Sequence, residues 1–391
     1  MAVHLETNEV TLTNQSRDDG NGLRQRYCPS TTMAAWDFTD RELREAINGE
    51  RLLCPSLDLS NACNLNCPYC FTEPGNATYK KRRADELDEP ELYGVIEQMA
   101  AAGARTINII GAGEPLLDPR FERIARFIQS KGIRLLVATN GCELVRRPNL
   151  LGLLRDIGAN VIVKMNSLNE TLEDAMVGHA GYAGQRDQAL ALLLAVGFNH
   201  GTPSRLGVNT VITTGNRREI SALHQYCRLQ NIVFIAGSYM PAGRTGTVNL
   251  NHGRTVTGAT PPWAPASPAE IKTIGDELRE WDRAHGYPLV ANPAYTSGLP
   301  CVQSLGLYVD VAGKVWPCST KKQLVDGRLL DTPLGMVRGQ RSNLGEIFRD
   351  HPYMKKVRAE YQGDCPYKKA AAAAGSDKNL TEPEGCNETA C

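Results

Sequence analysis

Between residues 57 and 236 of this 391-residue chain, six short apolar runs alternate with helical patterns. The runs 57–60, 106–110, 133–138, 161–165, 206–212 and 233–236 read as buried strands. The intervening segments 89–102, 119–131, 149–157, 182–196 and 217–229 carry helical periodicity. Gly103, Gly132 and Gly158 each stand where a helix must stop before the next strand begins. Alternation this regular demands parallel strands joined by right-handed crossovers. Periodicity alone admits either a barrel or an open doubly wound sheet. In both, sites form at the C-terminal ends of the strands.

The flanks behave differently. Residues 1–30 are polar and read as loosely ordered. A helix is expected over 38–48, with Thr39 as N-cap and Glu42 closing a capping box. Segment 243–268, rich in Gly, Thr, Pro and Asn, is too long for a plain connector and reads equally as a lid over the barrel mouth or as a surface excursion. Ser267, Pro268 and Glu270 then start a helix. After Gly286 short strands take over, with a hairpin over 305–317 turning at Ala312-Gly313. The expected organisation is an N-terminal extension (1–52), a core (53–245), a lid with its helix (246–286) and a small C-terminal α+β domain (287–391).

Lys plus Arg and Asp plus Glu number 43 each, so net charge gives no attraction to nucleic acid or to an anionic membrane. An aromatic content of 6% is low for a base-stacking surface. No segment has the apolar length of a membrane span, and residues 1–21 hold no apolar run of a signal peptide. The chain therefore reads as cytoplasmic, with no nucleic-acid or membrane partner. Its twelve cysteines read as reduced thiols rather than a disulfide framework.

Three of them, Cys63, Cys67 and Cys70, are spaced C-x3-C-x2-C just after the first strand. Three thiolates on one loop can hold three corners of a [4Fe–4S] cubane and leave the fourth iron open to a ligand. A zinc knuckle would instead supply paired C-x2-C units and a nearby fourth ligand, which this loop lacks. The pattern resembles the signature of the radical S-adenosylmethionine (radical SAM) enzymes. That resemblance implies a partial (β/α)6 TIM-like barrel and SAM chelated to the open iron. It also implies a 5′-deoxyadenosyl radical formed on reduction by a flavodoxin- or ferredoxin-like donor. Tyr69 resembles the aromatic residue beside the SAM adenine. Gly111-Ala-Gly-Glu-Pro115 is similar to the Gly-Gly-Glu loop that receives the SAM amino group, with Gly113 and Glu114 matching and Ala112 departing. Asn140, Asn166 and Ser167, at the ends of the third and fourth strands, resemble the polar SAM contacts; Asn209 is a weaker candidate.

A second pattern, Cys301-x11-Gly313-x4-Cys318, brackets the hairpin and resembles the opening of the SPASM and twitch auxiliary-cluster domains. Lys368 stands where a full SPASM domain would place the second cysteine after Cys365. Enough thiols remain for one auxiliary [4Fe–4S] cluster. The set implied is Cys301, Cys318, Cys365 and Cys386, with Cys391 competing for the last place. Cys28, Cys54, Cys142 and Cys227 read as small buried hydrophobes, Cys142 being also a candidate hydrogen-atom donor. Arg244 is a candidate anion contact or a solvated turn arginine.

The resemblance implies an oxidoreductase or epimerase. An auxiliary cluster ligated fully by cysteine serves electron transfer, which suits dehydrogenation. About fifty residues precede the barrel, fewer than a peptide-recognition domain needs. The expected substrate is a small polar intermediate of the aminocyclitol or sugar type, as in antibiotic biosynthesis. The alternatives are a maturase acting on a ribosomal peptide, and a non-catalytic iron–sulfur scaffold.

Overall fold

The computed structural model describes residues 32–72, 84–238, 263–264, 266–287, 301–321, 323–325, 328–340, 342–363 and 365–366. The expectations for Cys28, Arg244, Cys386, Cys391 and most of the lid fall outside these residues.

Six parallel strands lie side by side in chain order: β1 (Ser56–Leu57), β2 (Thr106–Ile109), β3 (Arg134–Thr139), β4 (Asn160–Lys164), β5 (Leu206–Ile212) and β6 (Val233–Ser238). Helices cross between them: α2 (Glu89–Ala101), α3 (Phe121–Ser130), α4 (Cys142–Arg146), α5 (Asn149–Asp156), α6 (Glu170–Val177), α7 (Tyr182–Ala195) and α8 (Ile220–Leu229). This is a mixed α/β fold of the partial-barrel type. Before it comes α1 (Asp40–Ile47), with the expected Thr39–Glu42 capping box. After it comes α9 (Pro268–His285), capped by Ser267 and Glu270 as expected. No helix among the described residues is long and apolar enough to cross a membrane.

The sheet separates two cores. Outward-facing residues such as Ile107, Val137, Val161 and Val208 pack against the helices in one large cluster. Their neighbours in sequence point the other way, as alternation along a strand requires. There Leu136, Ile162 and Val233 close on Met33 and Ala35. The segment before α1 thus plugs the barrel. Its anchors are lumen-facing polar side chains: the Ala35 N–H donates to Asn160 Oδ1 at 2.8 Å, and Trp36 Nε1 donates to Asn108 Oδ1 at 3.1 Å. Gly207 makes room for the plug, since a Cβ there would lie 2.9 Å from Met33 Sδ.

The strand expected over 57–60 is shorter in its ladder, β1 ending at Leu57. Past it the Asp58 N–H still donates to the Val309 carbonyl, and at Leu59 the chain meets a buried guanidinium: Arg120, paired with Asp118 at 2.6 Å, donates to the carbonyls of Leu59 and Leu87. Likewise α8 begins at Ile220 rather than near Arg217, because Asn216 Oδ1 accepts the Thr213 N–H and fixes a turn ahead of it.

The hairpin after Gly286 forms as expected. β7 (Tyr308–Val309) and β8 (Lys314–Trp316) are antiparallel, and Asp310 Oδ1 accepts the N–H groups of Ala312 and Lys314 across the turn. Its placement was not legible: β7 lies parallel against β1, so the hairpin continues the barrel sheet. Among the described residues nine strands share that sheet, in the order β11-β8-β7-β1-β2-β3-β4-β5-β6, where β11 is Gly335–Met336. β9 (Gln323–Val325) and β10 (Arg328–Leu330) make a separate two-stranded ribbon. The short α10 (Val302–Leu305) precedes β7, and α11 (Leu344–Asp350) and α12 (Pro352–Tyr361) follow β11.

Candidate active site

Cys63, Cys67 and Cys70 leave β1 at its C-terminal end, none of them in a disulfide and all partly exposed. They lie close enough for the charges of Cys67 and Cys70 to raise the Cys63 thiol further above its ordinary value, beyond the larger effect of burial. Among the described residues no three His, Cys, Asp or Glu side chains converge on one point as ligands of a single ion would. A cubane spreads its three thiolates over three iron atoms instead, and this loop fits that donor set.

The loop is held by neighbours at its own end of the barrel. The Glu114 N–H donates to the Ala62 carbonyl at 2.8 Å, and a Cβ on Gly113 would lie 2.2 Å from that same oxygen. Only glycine lets these two loops touch. Glu114 is buried and takes three donors: Thr139 Oγ1 at 2.6 Å, the Asn140 N–H at 2.7 Å and the Leu116 N–H at 3.1 Å. Burial raises its carboxyl to about 7 against these bonds. A carboxylate has about four acceptor positions, so one remains open. Asn140 Nδ2 in turn donates to Asn64 Oδ1 at 2.7 Å, tying the end of β3 to the cysteine loop.

Tyr69 is buried, and its hydroxyl accepts from Asn166 Nδ2 at 2.9 Å. Asn166 and Ser167 are fully buried beyond β4, and both backbone N–H groups donate to Glu173 Oε2 at 2.8 Å. Arg186, itself buried, stands 3.7 Å from Glu173 and donates to the Ser167 carbonyl at 3.0 Å. Asn216 Nδ2 completes the support through the Asn166 carbonyl. The structure thus brings together Tyr69, Gly113, Glu114, Asn140, Asn166 and Ser167 around the triad. Asn209 is half-buried on β5, paired in register with Lys164, and its Nδ2 donates to the Ile235 carbonyl at 3.5 Å. Cys142 is packed with Leu65, Val177 and Tyr182 in a cluster that Cys63 and Cys67 also touch, and burial pushes its thiol up to about 11.

Glu173, Arg186, Asn64 and Asn216 were missed in the sequence. Helical periodicity does not separate buried Glu173 from exposed Glu170 on the same helix. Lys164 was missed as well. It faces the lumen at the end of β4, its ammonium 5.1 Å from the Tyr69 ring centroid, and burial lowers it to about 8.

Cys301 and Cys318 are buried at the two ends of the hairpin segment and are outside any disulfide. Gln303 Nε2 approaches Cys318 Sγ at 3.8 Å and bridges the two arms. Cys365 corrects the expectation that every cysteine is a reduced thiol: it is disulfide-bonded. Two cysteines gathered by a fold can close either a disulfide or a ligand set, and metal binding requires the reduced form. A separate cavity of about 330 Å³ lies between α8 and α9, lined by His224, Glu277, Trp281 and His285, with no residue of the triad on its walls.

Residues 57–226 match the family model of the radical SAM superfamily. The AdoMet-dependent heme synthase of Methanosarcina barkeri is 25% identical over 83% of this chain and 91% of its own length. The mycofactocin maturase MftC of Mycobacterium tuberculosis is 24% identical over 67% of this chain, which spans 61% of that protein. Two solved structures share the fold. Streptococcus suis SuiB bound to its precursor peptide SuiA has a TM-score of 0.57 at 15% identity over 79% of this chain and 67% of that one. anSMEcpe with bound AdoMet has a TM-score of 0.57 at 14% identity over 85% and 93%. With the triad, the glycine–glutamate loop and the strand-end polar groups on one barrel rim, residues 57–226 of this chain form a domain of the radical SAM superfamily.

Proposed function

We propose that the protein is a radical SAM oxidoreductase that removes a hydrogen atom from a small polar substrate and completes its oxidation with a second iron–sulfur cluster. The observation that carries this reading is β7 laid against β1. It places the Cys301–Cys318 hairpin beside the very strand that ends in the triad.

The family implies a [4Fe–4S] cluster and SAM; bound on Cys63, Cys67 and Cys70, they supply the 5′-deoxyadenosyl radical. Tyr69, Gly113, Glu114, Asn140, Asn166 and Ser167 are read as the SAM cradle. Glu114 fixes the Thr139–Asn140 turn and keeps one acceptor position for an ammonium. Cys301 and Cys318 are read as two ligands of an auxiliary cluster, with Cys365, once its disulfide is reduced, and Cys386 or Cys391 completing it within an auxiliary domain over 287–391. Such a cluster accepts the electron left when a substrate radical becomes a carbonyl.

The substrate class favoured is an aminocyclitol or sugar, because the lumen rim presents an acidic and a basic side chain, Asp58 and Lys164, to whatever enters. A second reading, maturation of a peptide, is favoured by the relative named as a mycofactocin maturase. The deciding experiment is anaerobic reconstitution with SAM, dithionite and candidate substrates in deuterated buffer. Two cubanes give about eight irons per chain. Oxidation appears as a loss of two mass units, whereas epimerisation appears as deuterium gained at carbon. Substrate-dependent 5′-deoxyadenosine with a peptide and with no polyol would transfer the assignment to the second reading.

A further inference from the structure

Asp58 lies one residue past β1, and its N–H donates to the Val309 carbonyl at 3.0 Å, continuing the β1–β7 ladder. Register fixes where it points. Ser56 pairs with Asn108 on one side and Tyr308 on the other, and Asn108 faces the lumen, where it accepts from Trp36. Two residues on, Asp58 therefore faces the same lumen, near its C-terminal rim. It is wholly buried. The Tyr308 hydroxyl donates to Oδ2; Oδ1 has no partner of good hydrogen-bond geometry, although the Ala112 N–H lies near enough to act on the carboxylate. Buried carboxyl oxygens are almost always satisfied, so one left without a well-aligned partner on the lumen face of the sheet calls for a ligand. Four other groups act on it from the elements around it: Lys321, whose ammonium is 3.9 Å from Asp310 and 5.8 Å from the Tyr308 ring centroid; Tyr308; Asp310; and the Ala112 N–H. Asp310 is occupied elsewhere, by the turn amides and Trp316 Nε1. Burial, opposed by Lys321 and Tyr308, raises Asp58 to about 7, the range in which a carboxylate both accepts and releases a proton at neutral pH.

We propose that Asp58 is the catalytic residue that receives the substrate: its Oδ1 accepts a hydroxyl or ammonium donor and takes the hydroxyl proton during oxidation. The inference rests on the oxidoreductase reading above. The balance closes. The carbon-bound hydrogen goes to the 5′-deoxyadenosyl radical and gives 5′-deoxyadenosine, the hydroxyl proton goes to Asp58, the remaining electron goes to the auxiliary iron–sulfur cluster, and the carbon–oxygen bond becomes a carbonyl.

Binding without turnover tests it. The reconstituted full-length protein, with SAM and no reductant, is dialysed against streptamine, glucosamine and myo-inositol. The expected result is saturable binding of at least one probe, weakened about 10- to 100-fold by Asp58→Asn, the loss of one charged hydrogen bond. SAM affinity and iron content should stay within about threefold, a difference too small to matter on the tenfold scale. Asp58→Ser serves if the amide variant does not fold. Unchanged probe affinity in a folded variant overturns the proposal. If no probe binds and a peptide instead drives 5′-deoxyadenosine formation, the substrate reading fails. The same Asp58→Asn comparison with that peptide then decides the residue's role separately.

Discussion

Glu114 Oε2 accepts the Asn140 backbone N–H at 2.7 Å, so one buried carboxylate joins the loop after β2 to the end of β3. Replacing Glu114 with Gln keeps the volume but opposes an amide NH2 to one of the three donors. We expect a loss of about 1–3 kcal/mol in stability, the cost of an unsatisfied buried donor. SAM affinity should fall at least about tenfold, because the carboxylate is also the read acceptor of an ammonium. Denaturant titration and equilibrium dialysis measure the two effects. Unchanged SAM affinity would remove Glu114 from the cradle.

Gly113→Ala tests the contact between the loops without touching a polar group. The new methyl would lie 2.2 Å from the Ala62 oxygen and 2.7 Å from the Ala62 carbon, both backbone atoms that cannot rotate away. The cysteine loop has to move, and iron incorporated at the triad should drop by half or more. Iron and sulfide counts on the reconstituted variant check this; full loading would show that the loop has slack.

Cys318→Ala separates the two clusters. Reconstituted iron should fall from about eight to about four per chain, the content of one cubane. Reductive formation of 5′-deoxyadenosine should persist while oxidised product is lost. A variant that retains all its iron would place the auxiliary ligands elsewhere.

The clamp between α8 and α9 predicts how stability depends on pH. Asp282 is buried with Arg228 Nη2 at 2.8 Å and His224 Nε2 at 2.8 Å. Burial alone would raise its carboxyl, but the bonds from His224 and Arg228 outweigh burial and hold it below the ordinary value. The unfolded state therefore binds the proton first as pH falls. This contribution is fully present above the unfolded carboxyl value of about 4 and is lost as pH drops through the folded one. Urea titrations at neutral and acidic pH should show wild-type stability decreasing below about pH 4 by more than that of Asp282→Asn. The variant should be about 3–5 kcal/mol less stable at neutral pH, because the buried Arg228 guanidinium loses its carboxylate. Parallel pH profiles for the two proteins would contradict this origin.

The parts of the fold legible in the sequence were those with local causes. Strand β5 falls on its apolar run, and the caps at Thr39 and Ser267 form as their side chains dictate. The triad, Glu114 and Asn166 were legible because spacing and strand ends carry them. The shortened β1 was not, and the Arg120 guanidinium that the chain meets at Leu59 is distant in sequence. Nor was the fusion of the hairpin to the barrel, because parallel pairing of β7 with β1 joins residues some 250 positions apart and leaves no local pattern. Asp58 was hidden for the same reason. In the sequence it is one polar residue in an apolar run; only Tyr308 beside it and the register with Asn108 show what it faces.

The central claim is that Cys63, Cys67 and Cys70 hold a cluster that cleaves SAM. Its most direct test is anaerobic incubation of the reconstituted protein with SAM and dithionite, with 5′-deoxyadenosine quantified beside a Cys67→Ala control. The expected result is 5′-deoxyadenosine from the wild-type protein and none above background from the variant. Equal amounts from both, or none from either at full iron loading, would contradict it.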